Sequence, residues 1–230
     1  MNIILGVISI FITFSLTVIA EKIFKKEGIY VWISIAVIIA NIIICKSIDL
    51  SIFKVNLGNI LFASSFLATD IMSEKYGVAE SKKAIIIAVF SQLVFIISTQ
   101  MALLYTPSNI DIANESMKTL FSLNLRISVS SIFMYFVSNM LDIYLFEKIK
   151  NKVPSKLWLR NNVSTMISNS LENYLFGLLA FTGVYDLITI LELTTVASIL
   201  EIIIAALDTP FLYLSKYQKT LTKDKKTHII

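Results

Sequence analysis

Acidic side chains inside long apolar segments are the residues of this sequence whose type and position are best suited to chemistry. Glu172 lies in the middle of such a segment, between Asn169 and Asn173, and no Lys or Arg occurs from residue 161 to 182. An ionised carboxylate at the centre of a bilayer costs about 2.5 to 3.5 kcal/mol on the insertion scale. Because Glu172 is too deep to reach water, we expect it to face a bundle interior and bind a solute.

The chemistry of a buried carboxylate limits what that solute can be. A carboxylate accepts two hydrogen bonds side by side, so Glu172 suits the adjacent N–H and NH2 donors of a guanine-like edge, or a cationic amine. Phe176 and Tyr135 could stack on a flat ring. Arg126 and Arg160 stand only at the ends of apolar segments, so an anionic solute fits poorly. The residues predict a planar, polar solute that is neutral or cationic.

Two further carboxyl groups, Asp70 and Glu74, are one helical turn apart near the end of another apolar segment. Asp70 is a second candidate for binding the solute. Glu74 begins a loop, so simple solvation and a structural or functional role are equally supported. The other candidates inside apolar segments are Asn41, Thr165, Glu201 and Asp208.

Asp142 lies close to basic residues, and the simplest interpretation is a structural ion pair with Arg160 or Lys148. Arg160 and Asn161 open the apolar segment that contains Glu172. At this end of the segment, Arg160 is predicted to close a gate on the cytoplasmic side by binding Asp142 or Glu147.

The elements that must position these residues follow from the composition. Of 230 residues, 56% are apolar and 16% are charged, and the mean hydropathy is +0.78. These values predict an integral membrane protein that forms a single domain over residues 1–230. A spanning helix needs about 20 apolar residues. Seven segments qualify, at residues 3–20, 29–45, 57–73, 84–104, 125–146, 161–182 and 193–215.

Basic residues lie mainly on one side of the predicted all-α bundle. Of the 20 Lys and Arg residues, 16 follow the first, third, fifth and seventh segments. By the positive-inside rule, the N-terminus is outside and the C-terminus is cytoplasmic. The first segment carries its positive charges after the apolar stretch, unlike a signal peptide, so we expect a retained helix peripheral to a six-helix core. The longest external loop, residues 105–124, is predicted to be a tether.

Several function classes are excluded by what the sequence lacks. One His and one Cys provide neither a transition-metal cluster nor a disulfide framework, and no P-loop is present to hold nucleotide phosphates. We therefore expect no cofactor. The basic residues are scattered rather than clustered, so nucleic acid is not the predicted partner. The expected partners are the lipid bilayer and a small solute, with homo-oligomerisation left open.

Several stretches of the chain resemble a known family. They are ANIIICKSI at 40–48, NILFASSFLATDIMSEKYG at 59–77, DIYLFEKIK at 142–150, LWLRNNVSTMISNSLENYLF at 157–176 and DTPFLYL at 208–214. In order and spacing they are similar to the YhhQ-like queuosine precursor transporters of the vitamin uptake transporter family. The resemblance implies a multi-pass protein of the bacterial cytoplasmic membrane, not an enzyme, that imports a 7-deazaguanine for tRNA queuosine modification. The cyano and aminomethyl precursors and queuine are the candidate substrates.

The resemblance also assigns roles by position. Glu172 stands where the family usually has Asp, and Glu201 stands where it usually has Lys, which puts the role of Glu201 in doubt. The positions that match directly are Asp70, Glu74, Arg160, Asn161, Ser164 and Thr165. The expected substrate-binding residues are Glu172, Asn169, Asp70, Phe176, Asn41 and Thr165. The expected gating or structural residues are Arg160, Asn161, Asp142, Glu74, Glu201 and Asp208.

Other functions compete with a stand-alone carrier. A substrate-binding subunit of a multi-component importer would bind tightly but would need an energising partner. An intramembrane enzyme would need paired carboxyls such as Asp142 and Asp208, but neither lies in a recognisable catalytic motif. A membrane scaffold has no use for a costly charge at the depth of Glu172.

Overall fold

The computed structural model describes residues 2–43, 46–50, 53–121, 125–183 and 185–227. Over these residues it is a bundle of seven helices with one short β-hairpin, which confirms the predicted helical membrane bundle. A helix lies at each of the seven predicted apolar segments, although the end of the second, residues 44 and 45, lies outside the described residues. The elements are α1 Asn2–Ile43, β1 Ser47–Leu50, β2 Phe53–Asn56, α2 Gly58–Lys75, α3 Val78–Leu104, α4 Asn114–Phe121, α5 Leu125–Lys152, α6 Leu157–Phe181 and α7 Leu187–Thr227.

Helix α1 is divided into two arms that correspond to the first two predicted segments. Lys25 has φ 58° and ψ −139°, which is not a helical conformation. A Cβ atom on Gly28 would lie 2.2 Å from the carbonyl oxygen of Ala20. Residues eight apart in a straight helix cannot touch, since they are separated by about 12 Å along the axis. The chain therefore reverses direction at Lys25, and Gly28 allows the arms to approach closely.

The first arm of α1 is integrated into the bundle rather than peripheral to it. Phe14 is fully buried, and its ring lies 5.4 Å from that of Phe211 in α7. Glu21 forms an ion pair of 2.7 Å with Lys75 of α2. Residues of α1, α2, α3, α5, α6 and α7 all contribute to the buried apolar cluster, so these helices share one core.

Apolar side chains on the outer surface of the bundle suit a lipid environment. On α3, for example, Ile86, Phe90 and Ile97 are exposed. In the described part of the chain, four helices are long and apolar enough to cross a membrane: α1, α3, α5 and α7. Helices α2 and α6 are more polar because their polar faces line the interior, where neighbouring helices shield them from lipid.

Two elements on the predicted external side were not predicted. Strands β1 and β2 pair antiparallel, with Ser47 opposite Asn56 and Leu50 opposite Phe53. Helix α4 lies within the loop at 105–124, of which residues 122–124 are outside the described part. The Gln100 amide donates to the carbonyl of Phe121 at 2.6 Å, and the rings of Phe95 and Phe121 are 5.9 Å apart. The loop is therefore docked on α3 rather than being a plain tether.

Candidate functional site in a column of buried carboxyl groups

In the described part of the chain, five carboxyl side chains are buried in the bundle without a paired cation, at three depths. Helices α5 and α6 run antiparallel and turn their polar faces toward each other, and α2 and α7 complete the interior. Burial of so many acids is costly in a bilayer, so each needs hydrogen bonds, a proton or a ligand. The five are Asp70, Asp142, Glu172, Glu201 and Asp208, and each is at most 9% exposed. We call them the carboxyl column.

Glu172 and Glu201 form the middle layer of the column. The Ser138 hydroxyl donates to Glu172 at 2.5 Å, and the Asn173 amide donates to Glu201 at 2.8 Å. The two carboxyls are close enough to interact electrostatically. Asn169 is buried one turn from Glu172, and no donor among the described residues reaches its carbonyl oxygen. The prediction that Glu172 is buried in the bundle is confirmed.

Asp70 and Asp142 form a carboxyl pair one turn closer to the end predicted to face the cytoplasm, which we call the inner end. The two side chains face each other and interact electrostatically. Thr165 and Ser168 each donate to the same Asp142 oxygen at 3.2 Å. Both Asp70 oxygens and the other Asp142 oxygen are buried, and no protein N–H or O–H donor reaches them among the described residues.

The predicted ion pair between Asp142 and Arg160 or Lys148 is wrong. Among the described residues no cation pairs with Asp142, because hydroxyls of α6 face it across the helix interface. Lys148 instead lies over the ring of Tyr144, with the ammonium 5.3 Å from the ring centroid.

Asp208 connects α7 to α6 beside the carboxyl pair. The Asn161 amide donates to Asp208 at 2.6 Å and to the hydroxyl of Thr209 at 3.1 Å. Asp208 also interacts electrostatically with both members of the carboxyl pair. Asn161 therefore has a structural role, joining the start of α6 to the middle of α7.

Four charged side chains at the inner end form what we call the inner ion cluster. Glu74 pairs with Arg160 at 2.5 Å, Lys216 at 2.9 Å and Lys150 at 3.5 Å. Its side chain is only 9% exposed, so simple solvation is excluded. Burial acts to raise the pKa of Glu74, but the hydrogen bond from Lys216 and the surrounding positive charges outweigh it and hold the pKa below its usual value.

The predicted partner of Arg160 in a gate, Asp142 or Glu147, is also wrong, because Arg160 binds Glu74. A second guanidinium N–H donates to the carbonyl of Pro154 at 2.8 Å, and the group lies 5.3 Å from the ring centroid of Phe146. These contacts aim Arg160 across the inner end toward α2.

A second ion pair at the inner end was missed by sequence reasoning. Lys75 donates to Glu21 at 2.7 Å and to the carbonyl of Ser215 at 2.9 Å, and the Tyr76 hydroxyl also donates to Glu21. The sequence did contain a signal for this ion pair. Glu21 is an acidic residue at the end of the first apolar segment, directly before the basic residues that follow it. Lys75 thus joins α1, α2 and α7.

The remaining predicted site residues lie elsewhere. Thr165 binds Asp142, so it belongs to the carboxyl pair rather than to the middle layer. Asn41 donates to the carbonyl of Val37 in its own helix, and the ring of Phe176 lies 5.8 Å from that of Phe181. A role for Asn41 or Phe176 in the substrate site stays a prediction. The side chain of Arg126 is outside the described part of the chain.

A bundle of apolar helices with buried carboxyls and amides inside, and ion pairs at one end, is typical of multi-pass membrane transporters. Residues 56–215 match the model of the family described as "Putative vitamin uptake transporter". The chain is also 30% identical over 218 residues to the "Probable queuosine precursor transporter" of Bacillus subtilis (strain 168), which covers 94% of each chain. The protein belongs to the vitamin uptake transporter family and is a multi-pass protein of the cell membrane. No solved structure matches the chain significantly.

Proposed function

We propose that this transporter imports a 7-deazaguanine that serves as a queuosine precursor for tRNA modification. The observation that carries the proposal is the position of Glu172, which is held by Ser138 in the middle of the bundle with no cation in its layer among the described residues. Glu172 and Glu201 are each 9% exposed, whereas Asp70, Asp142 and Asp208 are at most 1% exposed. The middle layer is therefore the least buried part of the column.

The chemistry of the middle layer suits the pyrimidinone edge of a deazaguanine. That edge presents a ring N–H beside an exocyclic NH2, and one carboxylate can accept from both. The carbonyl oxygen of Asn169, which no donor in the described ranges satisfies, supplies a further acceptor one turn away. Acceptors therefore predominate around Glu172, and this favours a solute rich in N–H donors over an anionic one.

The similarity to the Bacillus subtilis protein supports the same substrate class, because its name specifies a queuosine precursor and the alignment covers 94% of both chains. The cyano and aminomethyl precursors and queuine all carry the same pyrimidinone edge.

Glu172→Gln tests the proposal. The amide cannot accept the two hydrogen bonds as a carboxylate does, and a hydrogen bond to a charged group contributes about 1.5 to 3 kcal/mol. We expect uptake of the labelled base to fall by about 10- to 100-fold in cells that can neither make nor otherwise import the precursor. Queuosine in the tRNA of the same cells provides the second measurement.

The matched control is Glu192→Gln, the same exchange at an exposed position of α7. We expect it to transport like the unchanged protein. Normal uptake by Glu172→Gln, with normal amounts of protein in the membrane, would show that Glu172 does not bind the solute.

A further inference from the structure

The carboxyl pair has oxygens that no described protein group satisfies. Asp70 and Asp142 are fully buried. Three of their four oxygens meet no N–H or O–H donor in the described part of the chain, and the group that faces Asp70 is another carboxyl. Two ionised carboxylates offer only acceptors to each other.

A single proton on the pair would supply the missing hydrogen-bond donor. When a single proton is shared, one carboxyl becomes an O–H donor and the other accepts, so the pair carries one negative charge instead of two. Thr165 and Ser168 then stabilise the charge that remains on Asp142. The geometry is therefore that of a binding site for a proton.

The charged groups around the pair do not replace that proton. Asp208 of α7 adds a further acid and is hydrogen-bonded by Asn161. Arg160 of α6 interacts electrostatically with Asp70, but it is bound to Glu74. The charged groups on the other elements packed around α2 and α5 lie at the inner end: Glu21 pairs with Lys75, Glu80 of α3 binds Lys26 and Tyr30, and Glu147 pairs with Lys150.

The pair is also connected to the proposed solute site. On α5, Ser138 binds Glu172 and lies one turn from Asp142. On α6, Ser168 binds Asp142 and lies one turn from Glu172. Two hydroxyl groups therefore lie between the middle layer and the carboxyl pair.

We propose that the Asp70–Asp142 pair is a proton-binding site through which this transporter couples solute import to proton entry. The proposal rests on the transport function proposed above. The pair takes up a proton when the bundle is open to the outside, carries it inward with the solute bound at Glu172, and releases it at the inner end.

The proton itself can be observed without any solute. Infrared spectroscopy of the purified protein in lipid detects the C=O stretch of a buried protonated carboxyl. We expect Asp142→Asn to remove one such band, because the new amide donates to Asp70 and makes the shared proton unnecessary. Asp70→Asn is expected to remove the same band. Spectra in which both variants keep every protonated carboxyl band would overturn the proton site.

Coupling is tested in proteoliposomes with labelled 7-cyano-7-deazaguanine, which is neutral and so brings no charge of its own. With one proton per solute, a gradient of about one pH unit, acid outside, supports up to about tenfold accumulation. A pH-sensitive dye inside the vesicles should report acidification when the base is added. We expect Asp142→Asn to retain solute counterflow but to lose both accumulation and acidification, whereas Glu192→Gln should retain all three.

The outcomes separate the two proposals. Counterflow by the unchanged protein without acidification or gradient-driven accumulation would overturn proton coupling and leave the transport function intact. Normal accumulation by Asp142→Asn would also overturn the coupling. Absence of counterflow with the cyano base, the aminomethyl base and queuine would instead contradict the transport function, and with it the coupling to that solute.

Discussion

Replacing Arg160 is expected to open the inner end of the transporter. The side chain is 1% exposed and binds Glu74, whose own side chain is 9% exposed. Removing one partner of a fully buried ion pair costs about 3 to 5 kcal/mol. Here Lys150 and Lys216, which are 30% and 47% exposed, remain beside Glu74 and offset part of that loss. We therefore expect Arg160→Ala to destabilise the closed inner end by about 1 to 3 kcal/mol, a shift of about 5- to 150-fold in the equilibrium.

For transport, we expect Arg160→Ala to lower the turnover rate more than the affinity for the solute. Arg160 lies at the inner end, whereas the proposed solute site is in the middle layer. We expect the solute dissociation constant of Arg160→Ala to change little and its turnover to fall severalfold, because the transporter no longer holds the state closed to the cytoplasm.

A cysteine at Ser164 measures the opening directly. Ser164 is buried one turn from Arg160 on α6, so a thiol there reacts with a reagent added at the cytoplasmic side only when the inner end opens. With Cys45 replaced, the labelling rate should rise in Arg160→Ala in proportion to the opening. Lys152→Ala, which removes an exposed charge nearby, is the control.

Glu74→Gln completes a double-mutant cycle. If Arg160 acts through Glu74, the double variant should label little faster than either single variant. Equal labelling and equal turnover in Arg160→Ala and the unchanged protein would refute the gate, and strictly additive effects would refute the role of Glu74.

Two further predictions concern stability. The pKa of Glu74 is lowered in the folded protein, so the stability that its ion cluster contributes is complete above its usual value of 4.5 and is lost as the pH falls through the lower folded value. Thermal unfolding as a function of pH should therefore show a smaller acid-dependent loss in Glu74→Gln, and equal losses would contradict this. Separately, a Cβ at Gly177 would lie 2.3 Å from the Thr194 methyl group, whereas nothing lies within 4 Å at Gly6. We expect Gly177→Ala to destabilise the protein by about 1 to 3 kcal/mol and Gly6→Ala to have little effect in the same thermal assay; an unchanged midpoint in Gly177→Ala would contradict close packing of α6 on α7.

The features that the sequence predicted well depend on how deep a residue lies within its apolar segment and on the length of that segment. The burial of Glu172 followed from its distance to either end of its apolar segment, and the helices at the seven apolar segments followed from segment length. By contrast, the hairpin of β1 and β2 is short, at four residues per strand, and could not be separated from an ordinary polar loop. The reversal at Lys25 also has no glycine or proline at the break itself to mark it.

The contacts across the bundle could not be predicted because they join residues far apart in the chain. Glu74 and Arg160 are 86 residues apart, and Lys75 and Ser215 are 140 residues apart. A single sequence states which side chains are charged but not which helix faces them. Asp142 shows the difference: its nearest basic neighbours in the chain suggested an ion pair, whereas packing places it against Asp70 and the hydroxyls of α6.

The contacts of Lys75 with Glu21 and Ser215 have a consequence for motion. By tying α1 and α7 to its own helix, this one ammonium group makes these helices a unit, while Ser138 and Glu172 fasten α5 to α6. The bonds Glu74–Arg160, Asp208–Asn161 and Glu201–Asn173, together with the facing acids, all cross from one unit to the other. If the two halves rock apart, they must part along this seam, and the ion pairs and the amide links then break in a single movement.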